Sequence, residues 1–217
     1  EKLSLIGLNG WVGDVFHYNG FQQLQDEKTG RVFSKEEDRT DANLVRMTGI
    51  GQHEVRATPL GVASMMATIA RGGERFMSRA VSHLTYKNNT HLFEFPVQKQ
   101  EGETISPYTA MKLQHLLRKV VTHNEGTGRW FQNLPYEVAG KSGTAETGIE
   151  VNGVQLHNKW FAGYFPFKNP KYALVVVNLE VPSDQGGINQ LFSDIVKGLY
   201  DLDQRSNQAT AAKKGTE

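Results

Sequence analysis

The run Lys141-Ser142-Gly143-Thr144 holds the residues of this chain whose types and order suit chemistry. It sets a cation, two hydroxyls two positions apart and a residue without a side chain in direct succession. Read as a strand, the run puts Ser142 and Thr144 on one face, because residues two apart share a side. Gly143 then permits close approach of a ligand backbone. An edge strand also offers fixed N–H donors, and one such donor aimed at a developing oxyanion is worth about 3–4 kcal/mol. A lysine ammonium nearby favours the same charge development. A bare Lys-Ser-Gly tripeptide is equally an ordinary solvated strand end, so the flanks must decide. Gly140-Lys141-Ser142 also mimics the end of a phosphate-binding loop. That loop needs a glycine five residues before Gly140, where Pro135 stands, and a helix after it. Thr147 to Gly153 has no helical period, so the nucleotide reading fails.

Several elements must position this run. Thr58-Pro59 reads as an N-cap and first-turn proline, and Gly72-Gly73 as the stop of a helix. Its apolar residues from Leu60 to Ala70 fall on nearly every side, which predicts a helix buried inside a domain. Residues 76–104 alternate loosely, with Lys87-Asn88-Asn89 as a turn between two strands. A second helix starts at Ser106-Pro107, carries Leu113, Leu116, Leu117, Val120 and Val121 on one face, and ends near Gly126. An extended piece through Tyr136-Glu137-Val138-Ala139 leads into the lysine run. A turn at Asn152-Gly153, a strand over Lys159–Phe165, a connection at Asn169-Pro170 and a strand over Tyr172–Glu180 follow. A last helix carries Ile188, Leu191, Phe192, Ile195, Val196 and Leu199, and residues 204–217 read as a disordered polar tail. Residues 1–48 are least legible. Asp26–Arg31 reads as a polar turn and Ser34–Asn43 as a charged, exposed loop, while Trp11–Leu24 receives no assignment. Short turns imply antiparallel neighbours, so the fold class is α+β, an antiparallel sheet flanked by helices.

Composition agrees with one globular domain. The 217 residues are 38% hydrophobic and 22% charged, with net charge +1 and no cysteine. Disulfides and thiolate metal sites are thereby excluded. The basic residues are scattered, so no nucleic-acid partner is expected. The histidines lack metalloprotease spacing, and neither metal nor cofactor is expected. No apolar run approaches the roughly 20 residues of a membrane span. The start at Glu1 lacks both an initiator Met and a signal-peptide pattern, and reads as a cut or processed segment.

The flanks carry a resemblance. Gly49-Ile50-Gly51-Gln52, then Ala57-Thr58-Pro59-Leu60 and Arg71-Gly72-Gly73, resemble a run of the penicillin-binding serine transpeptidases, and Lys141–Thr144 resembles their third active-site motif. Val120-Val121 with Glu125-Gly126-Thr127-Gly128 is similar to the helix before that motif. Trp160–Pro166 and Asn169-Pro170-Lys171-Tyr172 resemble the two strands after it. The resemblance covers residues 45–200 in one order and implies a β-lactamase/transpeptidase-like fold over residues 1–203. It implies acyl-serine chemistry on a D-alanyl-D-alanine stem peptide of peptidoglycan, which β-lactams imitate. By the same resemblance Lys141 brings positive charge and assists proton transfer, and the Ser142 and Thr144 hydroxyls hold the substrate carboxylate. Gly143 gives access to the strand, and the Thr144 backbone N–H forms half of the oxyanion hole.

The family's other two motifs, Ser-x-x-Lys and Ser-x-Asn, have no counterpart here. No serine precedes a lysine by three residues or an asparagine by two. In the family order both precede Gly49, so they are expected before Glu1, and this chain alone is expected to be inactive. Tyr86-Lys87-Asn88 has the Tyr-x-Asn form of some relatives, but it stands on the wrong side of the Thr58 helix and reads as a hairpin turn. The parent is expected outside the cytoplasmic membrane and anchored in it. A carboxypeptidase, a penicillin sensor or a non-catalytic extracytoplasmic binding module are the alternatives. Apolar residues fill 172–179 without alternation, as in a strand buried on both faces. An unpaired edge is expected there, met by the rest of the domain or another copy of the chain.

Overall fold

The computed structural model describes residues 14–17, 20–23, 40–52, 55–79, 81–100, 104–185 and 187–214. The chain falls into two units, residues 1–113 and 114–217, with the division inside one helix.

In the first unit, β1 (Asp14–His17) and β2 (Gly20–Gln23) pair antiparallel within the stretch that the sequence leaves unassigned. Helix α1 (Ala42–Gly49) starts where the charged loop was expected to end. Asp41 caps it, its carboxylate accepting from the N–H of Asn43 at 2.8 Å and of Leu44 at 3.2 Å. The expected turn at Asp26–Arg31 and most of Ser34–Asn43 lie outside the described residues. Gly51, at φ +79, ends α1 with its N–H on the Thr48 carbonyl at 3.0 Å. Helix α2 (Pro59–Ala70) is capped as the sequence predicts, the Gly61 N–H donating to Thr58 Oγ1 at 3.0 Å. Its burial is less than an all-apolar helix demands. Only Gly61, Met66, Thr68 and Ile69 are buried, so the described residues cover one part of its circumference.

Strands β3 (His83–Thr85) and β4 (His91–Glu94) form a hairpin. Tyr86 and Thr90 close its turn, the Tyr86 N–H donating to the Thr90 carbonyl at 2.9 Å. Asn89 takes the left-handed conformation there, at φ +63. Tyr86-Lys87-Asn88 is therefore the hairpin turn that the sequence indicates. Helix α3 (Pro107–Thr122) begins at Ser106, whose Oγ accepts from the Thr109 N–H at 3.2 Å, and passes from the first unit into the second.

The second unit is an antiparallel meander, β5 (Ala139–Val151), β6 (Val154–Phe165) and β7 (Tyr172–Pro182), in that spatial order. Asn152 and Gly153, at φ +52 and +77, make the two-residue turn between β5 and β6. Two successive positive φ values match the right-handed twist of the flanking strands. Because Val154 pairs with Val151, β6 begins five residues before Lys159, where the sequence reading began it. Among the described residues β7 pairs with β6 alone, leaving a strand edge along 172–179. Burial on both faces is not found. Val176 is buried, whereas Leu179 is 59% exposed.

Helix α4 (Asn189–Lys214) covers one sheet face. Phe192 and Val196 join Phe161, Phe165 and Val176 from the sheet and Val121 and Phe131 from the segment before it, in one buried cluster. The polar tail expected from residue 204 is instead helical to Lys214. Alanine, glutamine and lysine there are good helix formers, and the Ser206 and Thr210 hydroxyls donate to the carbonyls four residues back, at 3.0 and 2.9 Å.

Asp203 ties α4 to the sheet. Its carboxylate accepts from Tyr136 Oη at 2.5 Å, from Tyr172 Oη at 2.8 Å and from the Lys171 ammonium. These donors, Lys171 first, hold the Asp203 carboxyl at about 2, below its ordinary 3.8. Burial, with the Asp203 bond behind it, pushes the Tyr136 phenol up to about 12. A depressed carboxyl contributes stability that is complete above its unfolded value and lost as pH falls through its folded one. Thermal stability is therefore expected to decline between about pH 4 and about pH 2. Asp203→Asn will lower the melting temperature near neutrality and make it less steep across that window. An acid profile unchanged by Asp203→Asn would show that other carboxylates govern it.

Candidate active-site strand

Residues Lys141 to Thr144 lie near the start of β5, on the edge of the three-stranded sheet opposite β7. Two contacts fix where that strand begins. Arg118 Nη1 donates to the Val138 carbonyl at 2.6 Å, and Arg118 Nη2 lies 3.4 Å from the Glu137 carboxylate. Val138, Ala139 and Gly140 are buried, and the strand emerges at Lys141.

Register then assigns the faces. Ser142 stands opposite Phe161 and Thr144 opposite Lys159. Directly opposed residues of an antiparallel pair project to the same side, so the two hydroxyls share the face that carries the Phe161 ring and the aliphatic core. Lys141 and Gly143 project to the other face, opposite Ala162 and Trp160. The sequence expectation that Ser142 and Thr144 share one face of a strand is met.

The cation and the hydroxyls thus start on opposite sides, and the strand edge brings them together. Lys141 Nζ donates to the Ser142 carbonyl at 2.5 Å. In an antiparallel pair, alternate residues turn both backbone groups toward the partner strand or away from it. A Ser142 carbonyl that receives the lysine beside it belongs to the outward set. Thr144, two residues on, belongs to the same set, so its N–H is directed away from β6.

Two contributors were not singled out in the sequence. Lys159 puts a second ammonium on the hydroxyl face opposite Thr144, where it donates to the Ser183 carbonyl at 2.8 Å and to that of Gln185. Thr127 places its Oγ1 2.7 Å from Ser142 Oγ. Neither residue type signals a site, and only the strand register and the loop geometry bring them there.

Close packing beneath the strand leaves no room for larger residues. A Cβ on Gly140 would stand 2.6 Å from the Ala162 carbonyl oxygen and 2.7 Å from the Phe161 ring. Gly143 is different, with the nearest atom, the Trp160 Cβ, at an ordinary 3.5 Å. On β6, the buried Tyr164 hydroxyl has no hydrogen-bond partner among the described residues, and burial pushes its phenol up to about 12.

Comparison with known proteins bears on the family and the fold. Residues 11–197 match the family model of the penicillin-binding protein transpeptidase domain. Peptidoglycan D,D-transpeptidase PbpA of Mycobacterium tuberculosis H37Rv is 31% identical over 140 residues, 63% of this chain and 27% of that protein. The M. tuberculosis penicillin-binding protein A imipenem acyl-enzyme complex superimposes with a TM-score of 0.62 at 26% identity, over 84% of this chain and 37% of that one. M. tuberculosis penicillin-binding protein 3 with aztreonam gives a TM-score of 0.70 at 24% identity, over 95% and 45%, a likeness of fold. The chain spans roughly a quarter of the curated relatives it first matches.

Helices against an antiparallel sheet, with a lysine-hydroxyl run on its edge strand, define an α+β fold of the transpeptidase/β-lactamase-like class. The chain belongs to the penicillin-binding protein transpeptidase domain family.

Gly140→Ala is expected to destabilise the protein by about 1–3 kcal/mol, the usual range for overpacking. Gly143→Ala, with open space around it, is expected to leave the denaturation midpoint nearly unchanged. Equal midpoints for the two variants would overturn the packing described beneath β5.

Proposed function

We propose that the polypeptide carrying this chain is a D,D-transpeptidase of peptidoglycan cross-linking that works through an acyl-serine, and that residues 141–144 form the substrate-facing wall of its site. The observation that carries this reading is the edge position of β5. One short run there offers an ammonium, two hydroxyls on a common face and an outward backbone N–H. Family membership supports it, as does the imipenem acyl-enzyme state of a relative.

The geometry supports a division of labour. Ser142 and Thr144 donate to the terminal carboxylate of the stem peptide, the group a β-lactam also presents. Gly143 keeps the strand clear for the incoming backbone. The Thr144 N–H stabilises the oxyanion that forms as the carbonyl is attacked, and Lys141 holds positive charge beside that centre. The attacking serine and its adjacent lysine come from outside residues 1–217, because no serine here stands in a Ser-x-x-Lys pattern. The same missing part adds strands to the open edge of β7. The polypeptide acts outside the cytoplasmic membrane, where its substrate lies, and is anchored there. No helix among the described residues is long and apolar enough to cross a membrane.

Fluorescent penicillin is expected to label the full-length protein covalently and stoichiometrically. Lys141→Ala in that protein is expected to slow acylation about a hundredfold, the scale of losing one preorganised electrostatic contact. Residues 1–217 alone should take up no label, by mass spectrometry. An adduct on any serine of this chain would place the nucleophile elsewhere than proposed. Release of the acyl group to an acceptor amine rather than to water separates a transpeptidase from a carboxypeptidase.

A further inference from the structure

The 2.7 Å contact between Thr127 and Ser142 has a directional consequence. Each hydroxyl owns a single proton. If Ser142 donates to Thr127, it has nothing left for a carboxylate, which only accepts. If Thr127 donates, the Ser142 proton is turned outward. An arriving carboxylate therefore selects one direction, a chain from Thr127 to Ser142 to the ligand, in which each bond polarises the next.

The loop that carries Thr127 is built to hold it there. The Gly128 N–H donates to the Val120 carbonyl at 3.0 Å, and Arg129 Nη1 donates to the Asn124 carbonyl at 3.2 Å. A Cβ on Gly128 would stand 3.2–3.3 Å from Val121, Phe161 and Val120, so the loop is seated directly on the core. It meets there the same Phe161 that stands opposite Ser142. Threonine is stiff at χ1 and presents its hydroxyl with less rotational freedom than serine. Ser142 is half-buried between this loop and its strand neighbours, whereas Thr127 is exposed.

We infer that Thr127 is a positioning residue of the carboxylate clamp, orienting the Ser142 hydroxyl as donor to an anionic ligand. The inference rests on the reading of Ser142 given above. It makes Thr127 a determinant of preference for substrates and inhibitors with a free carboxylate, and it assigns no contact between Thr127 and the ligand.

The test uses the full-length protein with Thr127→Val, Thr127→Ser, Ser142→Ala and the Thr127→Val/Ser142→Ala double variant. Acylation rates are measured with a penicillin and with its methyl ester, which lacks the anion. Thr127→Val should slow the penicillin about tenfold and the ester less than about twofold, the range for a hydrogen bond to a charged group. Thr127→Ser should restore most of the rate, and Thr127→Val should add nothing to Ser142→Ala. Equal losses on both reagents, additive losses, or no rescue by serine would overturn the inference.

Equilibrium binding of N-acetyl-D-alanine to the same proteins separates this inference from the proposed function. If the wild type is not acylated, the functional reading fails. The positioning role then stands on about tenfold weaker carboxylate binding in Thr127→Val with recovery in Thr127→Ser. No carboxylate binding by the wild type, or equal affinity in Thr127→Val, overturns the role itself.

Discussion

One phenyl ring sits where three segments of the second unit meet. Phe161 packs on Phe131 with ring centres 4.4 Å apart and on Phe192 at 4.7 Å, so it joins the segment after α3, the sheet and α4. Its ring also fills the space over Gly140 on β5 and over Gly128 in the preceding loop. Dispersion across so many close contacts is individually small and collectively large. More important than its sum is its position, because the same ring lies against both the edge strand and the Thr127 loop. The spacing between Thr127 and Ser142 is in that sense a property of the core.

An edge strand is the one place in a sheet where a short run can present both faces and half of its backbone groups at once. Interior strands use those groups in their two ladders. On β5 the arrangement puts Lys141 on one face, Ser142 and Thr144 on the other, and the outward N–H of Thr144 between them. Lys141 brings positive charge to the strand edge, while the Lys159 ammonium on β6 is held by the carbonyls of Ser183 and Gln185. In the proposed reaction a carboxylate and a nascent oxyanion meet the protein within a few ångströms of each other. Two anions held so close call for a cation and fixed donors of the kind this run offers.

Much of this was legible because the signals were local. The Thr58-Pro59 cap, the Asn152-Gly153 turn and the spacing of Phe192 and Val196 each specify their own conformation with few alternatives. Lys141 to Thr144 stood out because a strand period alone places two hydroxyls together. What stayed hidden depends on partners distant in sequence. Helix α1 is short, and only its Asp41 cap announces it. The end of α4 looked like a tail because it has no apolar period. Asp203, just before the stretch read as a tail, is buried against Tyr136, Lys171 and Tyr172. The burial expected of β7 failed for the opposite reason, since an apolar run says that cover is wanted and not which residues supply it. Thr127 lies in a helix-ending run, and nothing in its spacing shows that it faces Ser142.

The tightness around Phe161 also governs how this site can change over generations. An added Cβ at Gly140 would overlap the Ala162 carbonyl and the Phe161 ring at 2.6 and 2.7 Å, and one at Gly128 would press on the same ring at 3.3 Å. Substitution is easier where a side chain can change without pressing on the core, as at Gly143 on β5 and at the exposed Thr127 in the loop before it. In the proposed reading Gly143 lies in the run that meets the ligand, and Thr127 stands one hydrogen bond behind it. If that reading holds, tolerance for substitution is greatest beside the surface that decides what is bound, and selection by a toxic ligand would find its raw material there.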